Sequence, residues 1–189
     1  MHLAVFGGSF DPPHNGHLAL CLFARELLDI DWIIISVSNN PFKQSPRVND
    51  RHRKKMAELL SLELNKTGLC SEVSSWELEK RAPSYTVDLM MHIHDLHPCH
   101  KISLLVGEDS FTDFPSWKEP ERLFALCDIV VFQRASHCPQ VFNSLVKVID
   151  FTCPASSTEV RRRITTGESF SRELPSPLFR YISRHKLYR

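Results

Sequence analysis

Leu3-Ala4-Val5-Phe6-Gly7-Gly8-Ser9-Phe10-Asp11-Pro12-Pro13-His14-Asn15-Gly16-His17 is the stretch whose reading decides the fold. Its first four residues are apolar and end on two glycines, the pattern of a short buried strand with a tight exit. From Asn15 to Leu28, Leu18, Leu20, Leu22, Phe23, Leu27 and Leu28 recur at helical spacing. The glycines let the turn's backbone approach a ligand closely. The helix beyond them presents N–H groups and a positive dipole end, which suit phosphate. His14 and His17 are three apart, so a helix beginning near Asn15 puts both rings on one side. Nearby carboxylates would repel a triphosphate, whereas imidazoles donate hydrogen bonds and gain a proton more readily beside an anion. In phosphoryl transfer the charge spreads over non-bridging oxygens, so catalysis is mostly positioning and stabilisation of that charge. No third ligand stands at zinc spacing around the two histidines.

Outward from this turn the chain alternates. Trp32 to Val37 reads as a strand broken by Asn39-Asn40-Pro41, and Ser45 to Asp50 as a loop. Arg51 to Leu64 reads as a helix with Met56, Leu59 and Leu60 on one side; its basic run Arg51-His52-Arg53-Lys54-Lys55 reads as a solvated face. Glu72 to Trp76 reads as a strand, Thr86 to Leu96 as a helix, and Ile102 to Val106 as a strand closed by Gly107. Pro120 to Cys127 reads as a helix, Ile129 to Phe132 and Val146 to Phe151 as strands. Thr158 to Thr166 and Pro177 to Arg184 read as the last helices. Short strands alternating with helices predict an α/β fold, a doubly wound parallel sheet with helices on both faces. Ligands bind such sheets outside the carboxyl ends of the strands. The loops after Leu3–Phe6, Ile102–Val106 and Val146–Phe151 are therefore the ones to watch.

The 189 residues suit one domain spanning 1–189, with no internal repeat or low-complexity linker. Lys and Arg total 23 against 22 Asp and Glu, so overall charge gives no reason to expect nucleic-acid or membrane binding, and anion binding must be local. Cys21, Cys70, Cys99, Cys127, Cys138 and Cys153 are scattered, without C-x-x-C or zinc spacing. They read as reduced thiols in a cytoplasmic protein, since the chain opens directly into a strand without a secretory signal. No apolar run approaches the roughly 20 residues of a membrane helix.

A second anion site stands at Ser156-Ser157-Thr158-Glu159-Val160-Arg161. Ser156 and Glu159 have the spacing of a capping box, which starts a helix with open N–H groups. Arg161, in the first turn, offers a planar fork of donors to phosphate oxygens. Three further features lie between the two sites. Pro83-Ser84-Tyr85-Thr86 precedes a helix that Thr86 can cap. Gly107-Glu108-Asp109 closes a strand with two acids, and Trp117-Lys118 sets an aromatic ring beside a cation.

Gly7 to His17 resembles the G-x-F-D-P-x-H-x-G-H signature of the nucleotidyltransferase superfamily, and Ser156 to Arg161 resembles its second ATP signature, I-S-S-T-x-I-R. Ala155 and Val160 replace the two isoleucines of that second signature, and the polar residues are all present. Ser84-Tyr85-Thr86, Gly107 to Asp109, Trp117 and the tail Leu174 to Tyr188 resemble the pyridine mononucleotide branch, so the resemblance covers nearly the whole chain. After Trp32–Val37 it departs from that branch: Lys43 is kept but the histidine of the pattern is absent, and no catalytic role is carried over there.

The resemblance implies a Rossmann-like nucleotidyltransferase fold and adenylyl transfer from ATP to nicotinate mononucleotide, giving deamido-NAD and pyrophosphate in NAD biosynthesis. Mg²⁺ would be bound through the ATP phosphates, with no protein ligands. On this reading His17, with His14 beside it, contacts the α-phosphate. Gly8, Ser9 and Phe10 line the nucleotide site, and Ser157, Thr158 and Arg161 hold the β- and γ-phosphates. Asp109 contacts a ribose, and Thr86 and Trp117 frame the pyridine. The mononucleotide phosphate is already anionic, so neither a general base nor a covalent intermediate is required. Three alternatives stay open. They are the same chemistry on nicotinamide mononucleotide or phosphopantetheine, a non-catalytic nucleotide sensor, and a fragment of a class I aminoacyl-tRNA synthetase. The tryptophan and Ser-Tyr-Thr features speak against phosphopantetheine, and the length and second motif against the synthetase.

Overall fold

The computed structural model describes residues 1–41, 45–80, 82–133 and 145–189. Among them six strands form one sheet in the order β3-β2-β1-β4-β5-β6, with every pair parallel. The strands are β1 (His2–Gly8), β2 (Trp32–Val37), β3 (Ser71–Ser74), β4 (Lys101–Gly107), β5 (Asp128–Gln133) and β6 (Val146–Asp150). This is the doubly wound order, and it reverses between β1 and β4, where a crevice opens at the carboxyl ends.

Alternation along the strands builds the two layers. Ala4, Phe6, Ile33, Ile35, Leu105, Val130, Phe132 and Ile149 face one side. Leu3, Val5, Ile34, Leu104, Val106, Ile129 and Val131 face the other. A one-residue slip in register would exchange these sets, so both buried faces pin it. The first face is covered by α1 (Asn15–Leu28), α2 (Asp50–Leu64), α7 (Ser157–Thr166) and α8 (Ser176–His185). The second is covered by α4 (Thr86–Leu96), α5 (Glu108–Phe111) and α6 (Pro120–Leu126). In α2 the residues Met56, Ala57, Leu60 and Leu64, all fully buried, form the inward stripe. Each large one contributes about 1.5–3 kcal/mol by leaving water.

The sequence expectation is corrected in three places. The strand expected over Glu72–Trp76 runs Ser71–Ser74, and Trp76 instead opens a short helix, α3 (Trp76–Glu79). Its indole stacks on His92 of α4 at 4.5 Å, which carries the chain away from the sheet edge. Thr86 does not cap α4: Tyr85 holds the N-cap position, and the Asp88 carboxylate accepts the Tyr85 N–H at 3.3 Å. The basic run of α2 is not uniformly solvated, because Arg53 is only 1% exposed. It falls in phase with the inward stripe Met56, Ala57, Leu60 and Leu64.

Candidate active site

The turn after β1 is rigid by construction. Phe10 adopts φ 48°, a left-handed conformation that costs a side-chain-bearing residue about 1–3 kcal/mol and needs support. That support is packing: its buried ring meets Phe6 at 5.8 Å and His17 at 5.4 Å. Gly8 is needed because a Cβ there would come within 2.9 Å of the Phe10 ring. Gly16 is needed for the same reason: its Cβ would lie 2.9 Å from the His14 imidazole and 3.3 Å from the Ala155 carbonyl oxygen.

His14 is the N-cap of α1, and its Nδ1 accepts the Gly16 N–H at 3.1 Å. His17 reaches back, and its Nδ1 accepts the His14 N–H at 3.1 Å. The two rings lie 3.8 Å apart, as their three-residue spacing predicts. With both Nδ1 atoms accepting from backbone, the ring proton of each sits on Nε2. The turn therefore fixes the tautomer of both imidazoles and makes each Nε2 a hydrogen-bond donor.

The second motif docks onto this turn. Ser156 Oγ caps α7 by accepting the Glu159 N–H at 3.2 Å. The expected box is made by half only, since the Glu159 carboxylate bonds to Arg162 and Arg163 instead. Those contacts hold its carboxyl down at about 2. Ser157 Oγ donates to the Pro12 carbonyl at 2.9 Å. Arg161 donates to the Asp11 carbonyl at 2.6 Å and to Thr158 Oγ1 at 3.2 Å. The N-terminus of α7 and the fork of Arg161 thus face the histidine turn, two anion-binding elements in one place.

Asp11 is the hub that the sequence reading did not single out. Its buried carboxylate accepts the Arg47 N–H at 2.8 Å and the Tyr188 hydroxyl at 2.9 Å, and Arg161 lies 3.9 Å away. Burial, and then the Asp11 charge, push the Tyr188 phenol well above its ordinary range, so it stays a donor. Asn15 completes the tie to the tail, donating its N–H and Nδ2 to the Glu173 and Arg172 carbonyls.

Beside the turn, at the switch between β1 and β4, lies a cleft of about 320 Å³. Gly7, Ser38, Glu77, Thr86, Gly107 and Trp117 are among its lining. Thr86 and Trp117 are therefore brought together as expected. Asp109 is not: it sits exposed on α5, while its neighbours Gly107 and Ser110 line the cleft. The loop after β2, from which no catalytic role was expected, supplies Ser38 and Asn40 to the wall. The buried Glu77 carboxylate anchors that loop, accepting from Ser36 Oγ at 2.8 Å and the Asn39 N–H at 3.3 Å. Lys43 and Cys138 lie outside the described residues.

Among the described residues, no group of three His, Cys, Asp or Glu side chains could hold a metal ion. The donors gathered here, N–H, hydroxyl and guanidinium, are those of an anion site. A hard divalent cation would fit such a site only if phosphate oxygens supplied its ligands. Among the described residues, no helix is long and apolar enough to cross a membrane.

A doubly wound sheet, with the histidine turn and the α7 N-terminus facing each other near its switch point, has the architecture of a nucleotidyltransferase. The chain belongs to the cytidylyltransferase-like family, whose model matches residues 5–163. Within it the similarity narrows to one activity. A "Probable nicotinate-nucleotide adenylyltransferase" of Pelodictyon phaeoclathratiforme is 53% identical, over 100% of this chain and 92% of that protein. A protein of the same description from Chlorobium phaeobacteroides is 52% identical over 100% of both chains. A Plasmodium falciparum nicotinic acid mononucleotide adenylyltransferase, solved with NaAD, superposes with a TM-score of 0.79 at 21% identity. It covers 99% of this chain and 97% of that one, and shares the fold.

Proposed function

We propose that the protein transfers the adenylyl group of ATP to nicotinate mononucleotide, giving deamido-NAD and pyrophosphate. The observation that carries this is the pair of adjacent imidazoles on the turn after β1, with the α7 N-terminus docked onto that turn and the Thr86–Trp117 cleft opening beside Gly7. A phosphate oxygen of the mononucleotide attacks the α-phosphorus in line. The bond from that phosphorus to the bridging oxygen breaks, and pyrophosphate leaves with the electron pair.

His17 and His14 donate from Nε2 to the α-phosphate oxygens, where charge accumulates in the transition state. Backbone groups of Gly8, Ser9 and Phe10 line the nucleotide site. Ser157, Thr158, Arg161 and the α7 N-terminus hold the β- and γ-phosphates. Thr86 and Trp117 frame the pyridine, while the ribose contact expected of Asp109 finds no support in the cleft lining, because Asp109 sits exposed on α5. Mg²⁺ would be held through the ATP phosphates rather than by protein side chains, and bound there it would supply charge neutralisation. The nucleophile is already anionic, so the site needs no general base. A cytoplasmic setting accompanies this reading, supported by the five described cysteines being free thiols.

The test is pyrophosphate release with Mg·ATP, offering nicotinate and nicotinamide mononucleotide in parallel. Strong preference for the acid supports the proposal. Equal or reversed preference keeps the chemistry and overturns the substrate. ATP binding without release with either would make the protein a nucleotide sensor.

A further inference from the structure

We infer that Arg53 is a positioning residue for this reaction, setting the distance between the phosphate turn and the wall of the mononucleotide cleft; the inference rests on the adenylyl-transfer reading. Arg53 belongs to α2, yet its guanidinium reaches under the sheet's carboxyl edge. One nitrogen, Nη1, donates both to the Ser9 carbonyl at 3.0 Å and to the Ser38 carbonyl at 2.9 Å. Ser9 lies in the turn that carries the histidines, and Ser38 lines the cleft. A single atom therefore spans the two halves of the site. A direct bond runs alongside it, from the Ser38 N–H to the Gly8 carbonyl at 2.8 Å.

The remaining donors are aimed by Asp50, whose Oδ1 accepts from Nη2 at 2.6 Å and Nε at 3.2 Å. Asp50 is itself mostly exposed, so it steers the fork from the solvent side. Burying a guanidinium is costly unless its N–H groups find acceptors, and here each described contact is to a carbonyl or carboxylate oxygen. A helix that only had to pack would do so with a leucine or methionine, and such a replacement is often neutral or stabilising. What methionine cannot do is hold two carbonyls from different loops at one spacing. In-line attack needs the reacting atoms about 3–3.5 Å apart and aligned, and a displacement near 1 Å costs about 10²-fold. The α-phosphate rides on the Ser9 turn and the nucleophile in the Ser38 cleft, so that spacing is what Arg53 controls.

The test compares wild type, R53M, R53K and D50N. We expect R53M and R53K to lose about tenfold to 10²-fold in kcat. Binding of α,β-methylene-ATP alone and of nicotinate mononucleotide alone, measured by calorimetry, should change by less than about threefold. D50N should lose less, in the same sense. Three outcomes overturn the proposal: wild-type kcat in folded R53M, full kcat in R53K, or losses in Kd that account for the whole fall in kcat/KM. Full kcat in R53K would mean that charge rather than the fork matters. If R53M does not fold, wild-type kcat in D50N overturns it. If the wild-type protein releases no pyrophosphate, the reaction itself is refuted. Hydrogen exchange then decides Arg53: R53M must speed exchange in both the Ser9–Phe10 and Asn39–Asn40 segments, and no change in either refutes the coupling.

Discussion

On the proposed reaction His17 would have two jobs for its two nitrogens, and substitution can separate them. Nδ1 accepts the His14 N–H at 3.1 Å, which is structural, and Nε2 would carry the donor offered to the α-phosphate. In H17N, Oδ1 falls where Nδ1 was and can still accept the His14 N–H, but nothing reaches the Nε2 position. In H17Q the amide reaches further and can donate near the old Nε2 position while the backbone contact is lost. Losing one preorganised donor to a developing oxyanion costs about 10²–10³ in kcat, or about 2.7–4 kcal/mol. Leaving a buried N–H unpaired costs about 1–3 kcal/mol of stability. In a domain of this size each kcal/mol moves Tm by about 2–4 °C. H17N should therefore melt within a few degrees of wild type yet lose about 10²–10³ in kcat. H17Q should melt lower and keep more of its turnover. Initial rates of pyrophosphate release at saturating substrates, beside thermal unfolding of the same samples, read both quantities. Wild-type kcat in H17N would refute the assignment of Nε2 to the reacting phosphate. Equal Tm losses in both variants would refute the role given to Nδ1.

Gly16→Ala should cut kcat by more than tenfold while Tm moves only a little, because the new Cβ meets the His14 ring at 2.9 Å while alanine's better helix propensity returns about 1 kcal/mol; rates and melting curves check it. Tyr188→Phe removes the hydroxyl that donates to Asp11 at 2.9 Å, a bond to a charged group of about 1.5–3 kcal/mol, and should lower Tm and raise KM for ATP together. Burial, then the nearby Asp128, push the Cys127 thiol up to about 12, and Cys21 is fully buried and pushed higher still. The thiolate is the reactive form, so iodoacetamide at pH 8 should label exposed Cys99 well before Cys127 or Cys21, as peptide mass spectrometry would show.

Residues 3–17 by themselves determined the strand–turn–helix and the pairing of the two histidines, because these depend on neighbours within one turn of chain. The doubly wound class was equally legible, since buried parallel strands read as continuous apolar runs such as Trp32–Val37. So was the α7 cap at Ser156, a contact three residues long. Long-range contacts were not legible. Asp11 meets Tyr188 from 177 positions away, and Ser157 meets Pro12 from 145. Glu77 and Ser38 entered the cleft only because β2 and β3 lie side by side and α3 follows β3. Arg53 was hidden in a basic run whose composition suggests solvent, although its phase with Met56, Ala57 and Leu60 was a signal pointing inward. Local spacing sets which side chains can share a face, and the sequence displays it. Which carbonyl a buried guanidinium grips, or which acid a terminal tyrosine finds, depends on how separate segments pack, and only the tertiary structure decides that.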